Sequence, residues 1–212
     1  ADELIKNADI AMYHAKASGK NTYSHFTPQM NEKIERRADI ERELRKALEE
    51  PEQFELWYQP QFSLADNRVI GAEALVRWRH PERGLIPPDE FIPTAEDTGM
   101  IVPLGEWLIE NLCRQLHRWS AVLDRDFYVS LNLSAKQIYR QHLAGIFSDK
   151  LNRYQVPGRH VHVEITESLL IHDNHNNQRI MQEIDNTGCQ IAIDDFGTGY
   201  SSLSYLINFP VD

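Results

Sequence analysis

Apolar residues recur along this chain at two different periods, and the change from one to the other divides it. From Asp2 to Ala17, Leu4, Ile5, Ala8, Ala11, Met12 and Ala15 fall at helical spacing, and Gly19-Lys20 predicts the stop. Thr22–Phe26 reads as a short strand. Thr27-Pro28 opens a charged helix over residues 28–50, because proline suits the first helical position. Ile34, Ile40, Leu44 and Leu48 give that helix a narrow apolar stripe, enough to pack on one neighbour. From Phe54 onward, strands and helices alternate. Strands are predicted at Phe54–Gln61, Val69–Trp78, Phe127–Leu133, His160–Ile165 and Cys189–Asp195. Helices are predicted near Pro88–Thr98, Leu104–Leu123, Ala135–Tyr154, Asn174–Thr187 and Tyr200–Ile207.

Strand–helix alternation with Ile- and Val-rich strands predicts an α/β fold, a parallel sheet covered by helices. The hairpin-like turn at Asp66–Arg68 predicts that the first strand runs antiparallel to the second. No Gly-x-Gly-x-x-Gly or phosphate-loop lysine follows a strand, which speaks against dinucleotide binding. A complete (β/α) barrel takes about 250 residues and eight strands. Residues 51–212 hold about five strands, so a TIM-like barrel truncated at its end is expected. The N-terminal helix and strand cannot bury a core alone, so truncation is expected at that end too.

Composition narrows the class. The 212 residues are 42% apolar and 25% charged, ordinary values for a globular protein. No run approaches the ~20 apolar residues that cross a bilayer, so no membrane contact is expected from this segment. Two distant cysteines, Cys113 and Cys189, point to buried thiols and a reducing cytoplasm rather than a disulfide framework. A net charge of −10 argues against general nucleic-acid binding. It does not prevent phosphate binding where metal ions reverse the local sign.

The chemistry sits where the strands end. Glu73 lies in the second strand, Asn132 near the end of the third and Glu164 near the end of the fourth. Asp194 and Asp195 close the fifth. Because side chains alternate across a strand, Asn132, Glu164 and Asp194 fall on the face opposite their aliphatic neighbours. Hard oxygen donors at the ends of successive strands suit a divalent cation such as Mg²⁺. Two adjacent aspartates would let one group serve each of two metals. Arg77, in phase with Glu73, could hold a phosphate bidentately, or equally form a surface ion pair. Taken alone, Asp194-Asp195 before a glycine reads equally as a turn.

Other residues carry less. His172-x-x-His175 lies in a polar helix start, and zinc binding is not expected there. His160 and His162 read as strand residues. Ser201 and Ser202 have no histidine partner, which speaks against a serine hydrolase. Trp57, Trp78, Trp107 and Trp119 read as core or helix–sheet contacts. Gln59 reads either as a substrate contact or as an edge-strand amide.

From about Ile34 to Asp212 the chain resembles the EAL family of cyclic di-GMP phosphodiesterases. The resemblance rests on Tyr58-Gln-Pro-Gln61, Glu73-Ala-Leu-Val-Arg77-Trp-Arg-His80-Pro, Phe91-Ile-Pro-Thr-Ala-Glu96-Asp-Thr-Gly99, Asn132-Leu-Ser134, Glu164-Ile-Thr-Glu167 and Asp194-Asp-Phe-Gly-Thr-Gly-Tyr-Ser-Ser202. The stretch from Asn7 to Asn21 is similar to the end of a GGDEF domain. The resemblance thus implies three parts of a tandem GGDEF–EAL protein: residues 1–27 a GGDEF tail, 28–50 a connecting helix, and 51–212 the first two-thirds of an EAL domain. It also implies hydrolysis of cyclic di-GMP to linear pGpG with Mg²⁺ or Mn²⁺, two ions, in a homodimer formed through the EAL domain. Glu73, Asn132, Glu164 and Asp194 are implied as first-metal ligands, with Asp195 the link to a second. Gln59 and Arg77 are implied as substrate contacts, and Glu167 as the anchor of the loop Asp195–Ser202.

The family continues past Asp212 with a lysine, a general-base glutamate and a late glutamine. A chain without them is expected to be inactive alone within an active parent. Two rival readings are a cyclic di-GMP receptor without turnover, and a scaffold for dimerisation. The intact strand-end residues favour the enzyme.

Overall fold

The strand candidates converge on one open, mostly parallel sheet. The structure, a computed structural model, describes residues 2–17, 21–140, 142–167, 174–194 and 209–210. Among these, six strands are formed: β1 Phe54–Phe62, β2 Val69–His80, β3 Gly84–Ile86, β4 Tyr128–Leu133, β5 Val161–Thr166 and β6 Gln190–Asp194. The sheet order is β1-β2-β4-β5-β6, with β3 added to β2. β2, β4, β5 and β6 are parallel neighbours, whereas β1 pairs antiparallel to β2 as the hairpin predicted. In that turn Ser63 N–H bonds the Arg68 carbonyl at 2.8 Å, and Asn67 takes φ 58°, a left-handed conformation that asparagine tolerates.

The helices are α1 Asp2–Ala17, α2 Pro28–Glu49, α3 Pro88–Thr98, α4 Ile101–Trp119, α5 Ala135–Arg140, α6 Leu143–Tyr154 and α7 Asn174–Asp185. Helices α2–α7 cover one face of the sheet, and α1 packs on α2. Against that face lie Ala74 and Trp78 of β2, Val129, Leu131 and Leu133 of β4, and Val161, Val163 and Ile165 of β5. Helix α4 supplies the largest apolar stripe to this layer, from Ile101 and Leu104 through Ile109, Leu112 and Leu116. Trp78 is fully buried, Trp107 stacks on Phe54, and Trp119 packs on Tyr58 and Phe127, so these three tryptophans are core contacts. Cys113 and Cys189 are buried free thiols, and burial pushes them up to about 12 and about 11.

Three local expectations change. Thr22–Phe26 forms no strand; Tyr23 is largely exposed, and no described strand lies alongside to share its hydrogen bonds. The helix expected over Ala135–Tyr154 is two helices, because His142 leaves helical geometry at φ −80°, ψ 70°. Its ring then lies over Gly145, where an added Cβ would come within 2.5 Å. Each half buries its own apolar set, Ile138 in α5 and Leu143, Phe147 and Leu151 in α6. β3 was not anticipated: three residues are too few for a periodic signal, and pairing with the end of β2 makes them a strand. The helix expected at Tyr200–Ile207 lies outside the described residues.

Helix α2 does more than its narrow stripe suggests. Ile40, Leu44 and Ala47 are part of the main core, while Ile34 is exposed. His80 Nδ1 accepts the backbone N–H groups of Glu82 and Arg83, so Nε2 carries the proton and donates to Glu43 on α2 at 2.5 Å. His80, and then Arg42, hold the Glu43 carboxyl below its usual range. Arg36–Glu90 and Arg37–Asp97 tie the same helix to α3. These latter pairs are largely exposed, so they orient α2 while apolar burial holds it.

If this half of α2 is core, Leu44→Ala should cost about 2–5 kcal/mol in chemical denaturation. Leu64→Ala, at a side chain 102% exposed, should be close to neutral. Equal effects would mean that α2 is only laid on the surface.

Candidate active site

On the face turned away from the helices the sheet is polar, and its two ends differ. At the N-terminal end of the parallel strands, Tyr128 and His162 stack with centroids 3.7 Å apart and planes within 3°. Gly71, the β2 partner of Tyr128, makes room for that ring, since a Cβ there would come within 2.8 Å of it. Aromatic packing thus closes this end. The other end is left to acids and amides.

Register sets which of these meet. Glu73 pairs with Ser130, Asn132 with Glu164, Glu164 with Ala192, and Thr166 with Asp194. Glu73, Asn132, Glu164 and Asp194 therefore share one face over four adjacent strands. Asn132 Nδ2 donates to Glu73 Oε1 at 2.8 Å, which leaves the amide oxygen as its donor to a ligand. The Glu164 carboxyl is pushed above its ordinary range, chiefly by burial and further by the charges of Glu73 and Asp194. Ser130 opposes that shift from within the sheet. Its hydroxyl nevertheless falls short of full hydrogen-bond geometry and is left without a bonded partner. Three carboxylates are thus near enough to raise the cost of charging one another. A cation would relieve that cost, and three carboxylates with one amide oxygen are the hard donors that Mg²⁺ or Mn²⁺ takes.

Among the described residues, no group of three or more His, Cys, Asp and Glu side chains is placed to hold a metal ion by itself. Mg²⁺ keeps several waters and does not require an all-protein shell. Asp195 and the loop to Ser202 lie outside the described residues, as do His172, Ser201 and Ser202. Glu167 is buried, and its backbone N–H bonds the Asp194 carbonyl at 3.3 Å, so it stands where that loop leaves the sheet.

Beside the acids, Gln59 of β1 lies opposite Glu73 and is exposed. Arg77, two residues beyond Leu75 on the same face of β2, sits 5.3 Å over the ring of Trp57. Trp57 is the correction here: it is 45% exposed on the polar face and is not a core residue. Its phase with Gln59, two positions on, was the available signal. A support layer also escaped the sequence reading. Ser134 begins α5, with its Oγ accepting the Lys136 N–H at 3.3 Å and its own N–H bonded to Gln137 Oε1 at 2.9 Å. The Ser134 hydroxyl donates to Glu96 Oε1 at 2.6 Å, fixing the chain two residues beyond Asn132. Gly105 of α4 leaves the space that Gln137 fills.

An α/β sheet that brings acidic and amide side chains to one face near the ends of its parallel strands has the arrangement on which (β/α) barrels build their active sites. The chain belongs to the EAL domain family, whose model matches residues 41–212. It is 42% identical over 208 residues, 98% of this chain, to the bifunctional diguanylate cyclase/cyclic di-GMP phosphodiesterase MucR of Pseudomonas aeruginosa. It is 41% identical over 211 residues, 99% of this chain, to the cyclic di-GMP phosphodiesterase PdeR of Escherichia coli. The matches cover 30% and 31% of those proteins, so the chain spans about a third of their length. Among solved structures it resembles the MucR phosphodiesterase in complex with cyclic di-GMP, with TM-score 0.77 and 40% identity over 82% of this chain and 70% of that one. The fold is therefore that of the EAL domains.

The raised affinity of Glu164 for its proton has a sign that can be checked. A carboxyl whose folded value lies above its unfolded one adds stability at low pH, and that stability is lost as pH rises through the raised value. At pH 7 and without a cation, Glu164 is therefore a liability, and Glu164→Gln should raise Tm. The same variant should lose the Tm increase that Mg²⁺ gives the wild type. A Glu164→Gln chain less stable than the wild type in EDTA would contradict the electrostatics described for this face.

Proposed function

We propose that this chain carries the catalytic face of a metal-dependent phosphodiesterase that hydrolyses cyclic di-GMP to linear pGpG. The reading is carried by the meeting of Glu73, Asn132, Glu164 and Asp194 on one face over four adjacent strands, in a chain of the EAL family. The activities in the names of MucR and PdeR, and the cyclic di-GMP in the MucR structure, support this choice of substrate.

The cations, Mg²⁺ or Mn²⁺ as a pair, would polarise the phosphoryl oxygens and make water a nucleophile near neutral pH. Glu73, Asn132, Glu164 and Asp194 are the residues that would hold the first, and Asp195 the link to the second. The rest of the work belongs to neighbouring side chains. The Asn132–Glu73 hydrogen bond holds two donors in mutual register before any ligand arrives. Arg77 offers its planar fork to a phosphate, and Gln59, opposite Glu73, offers an amide to the same ligand. Glu167, buried beside Asp194, anchors the start of the loop that follows β6.

We read residues 1–27 as the tail of a GGDEF-like domain, 28–50 as the connecting helix and 51–212 as the EAL part, acting as a cytoplasmic homodimer. No helix among the described residues is long and apolar enough to cross a membrane.

In the full-length protein with Mg²⁺, pGpG formation from cyclic di-GMP should fall about a hundredfold or more in Glu73→Ala, since loss of a direct ligand should cost at least as much as the roughly 10–100-fold for loss of an outer-shell partner. Tight binding of cyclic di-GMP by the wild type without pGpG would make the domain a receptor instead.

A further inference from the structure

Arg77 faces a competitor. In the β1–β2 register its direct cross-strand partner is Glu55. Opposite charges placed that way across an antiparallel pair ordinarily attract and bond. A carboxylate on the guanidinium would occupy the fork that a phosphate needs. The structure avoids this. Glu55 is held by Arg79, whose Nε and Nη2 donate to its two oxygens at 2.7 and 3.2 Å. The Trp57 indole N–H donates to Glu55 Oε2 at 3.0 Å. Those bonds to Arg79, and then to Trp57, hold the Glu55 carboxyl at about 2, so it remains an ionised acceptor across the working range of pH. Arg77 meanwhile lies over the Trp57 ring and donates from Nη1 to the Val76 carbonyl at 2.8 Å.

We propose that Trp57 is a positioning residue for Arg77: its ring seats the guanidinium, and its N–H helps Arg79 keep Glu55 away from it. A ring face attracts a cation without satisfying the in-plane N–H groups, which stay directed toward a bidentate acceptor. Trp57 thereby supports substrate affinity through Arg77 and touches none of the reacting atoms. An exposed tryptophan that merely filled space would have no reason to bond the carboxylate facing an arginine. The inference rests on the reading of Arg77 as a phosphate contact for cyclic di-GMP.

The test is equilibrium binding of cyclic di-GMP to the full-length protein in Ca²⁺, a hard cation chosen to replace Mg²⁺ so that binding is read apart from turnover. Trp57→Ala should weaken binding about five- to tenfold, the scale of a lost cation–π contact. Tm should barely move, since the side chain is exposed. Trp57→Phe, which keeps the ring, should recover part of the affinity. Trp57→Ala with Glu55→Gln should also recover part of it, because the competing charge is gone although the ring is not restored. Unchanged binding in Trp57→Ala, or a double variant as weak as the single one, would overturn the proposal. A wild type that binds cyclic di-GMP alongside such results confines the failure to Trp57. A wild type that does not bind it overturns both the function reading and this inference.

Discussion

The pairing of Asn132 with Glu164 across β4 and β5 is the constraint on which the site depends. Side chains alternate strictly along a strand, so a one-residue slip would send Glu164 into the helix layer and Val163 or Ile165 onto the polar face. The apolar burial of Val161, Val163 and Ile165 forbids that slip, because all three would leave the core together. The energy that fixes the active face therefore comes from its opposite side. Electrostatics on the polar face works against assembly, and the helix layer is what tolerates the opposition.

The same logic explains why the two ends of the polar face are built differently. Gly71, Tyr128 and His162 fill one end with rings and a missing Cβ, a self-sufficient packing. Glu73, Asn132 and Glu164 leave the other end electrostatically incomplete. Ser134, with its α5 cap, its bond to Glu96 and the Gln137 that Gly105 admits, then holds the end of β4 from behind. A ligand-binding end needs such outside support because its own groups repel one another.

Most of the site was legible in the sequence because it follows a short period. Asn132, Glu164 and Asp194 could be put on one face by counting twos, and the strands that carry them were found within a residue or two. The antiparallel first strand was legible from the turn at Asp66–Arg68. What failed depended on contacts that hydrophobic period does not show. Thr22–Phe26 has strand-like residues but no described strand to pair with. Residues 84–86 have no strand signal but gain a neighbour in β2. The break at His142, whose ring packs over Gly145, carries no signal in the apolar spacing. Trp57 was misread for another reason: a large aromatic was assigned to the core by type, although its parity with Gln59 already placed it on the polar face.

That misreading exposes how the chain manages charge. The protein is strongly acidic overall, at −10, and its polar face concentrates carboxylates still further. A lone arginine in such surroundings would ordinarily be neutralised by the nearest acid and lost to an anionic ligand. Glu55 is that acid, directly across from Arg77, and it is bonded elsewhere. Arg79 satisfies the carboxylate with a charge of its own, and Trp57 adds a neutral donor on one side and a π surface on the other. One arginine and one tryptophan thus serve one glutamate, which is wasteful for stability alone because exposed ion pairs contribute little. The arrangement is economical only if its product is a guanidinium kept in place over the Trp57 ring and left open to an anionic ligand.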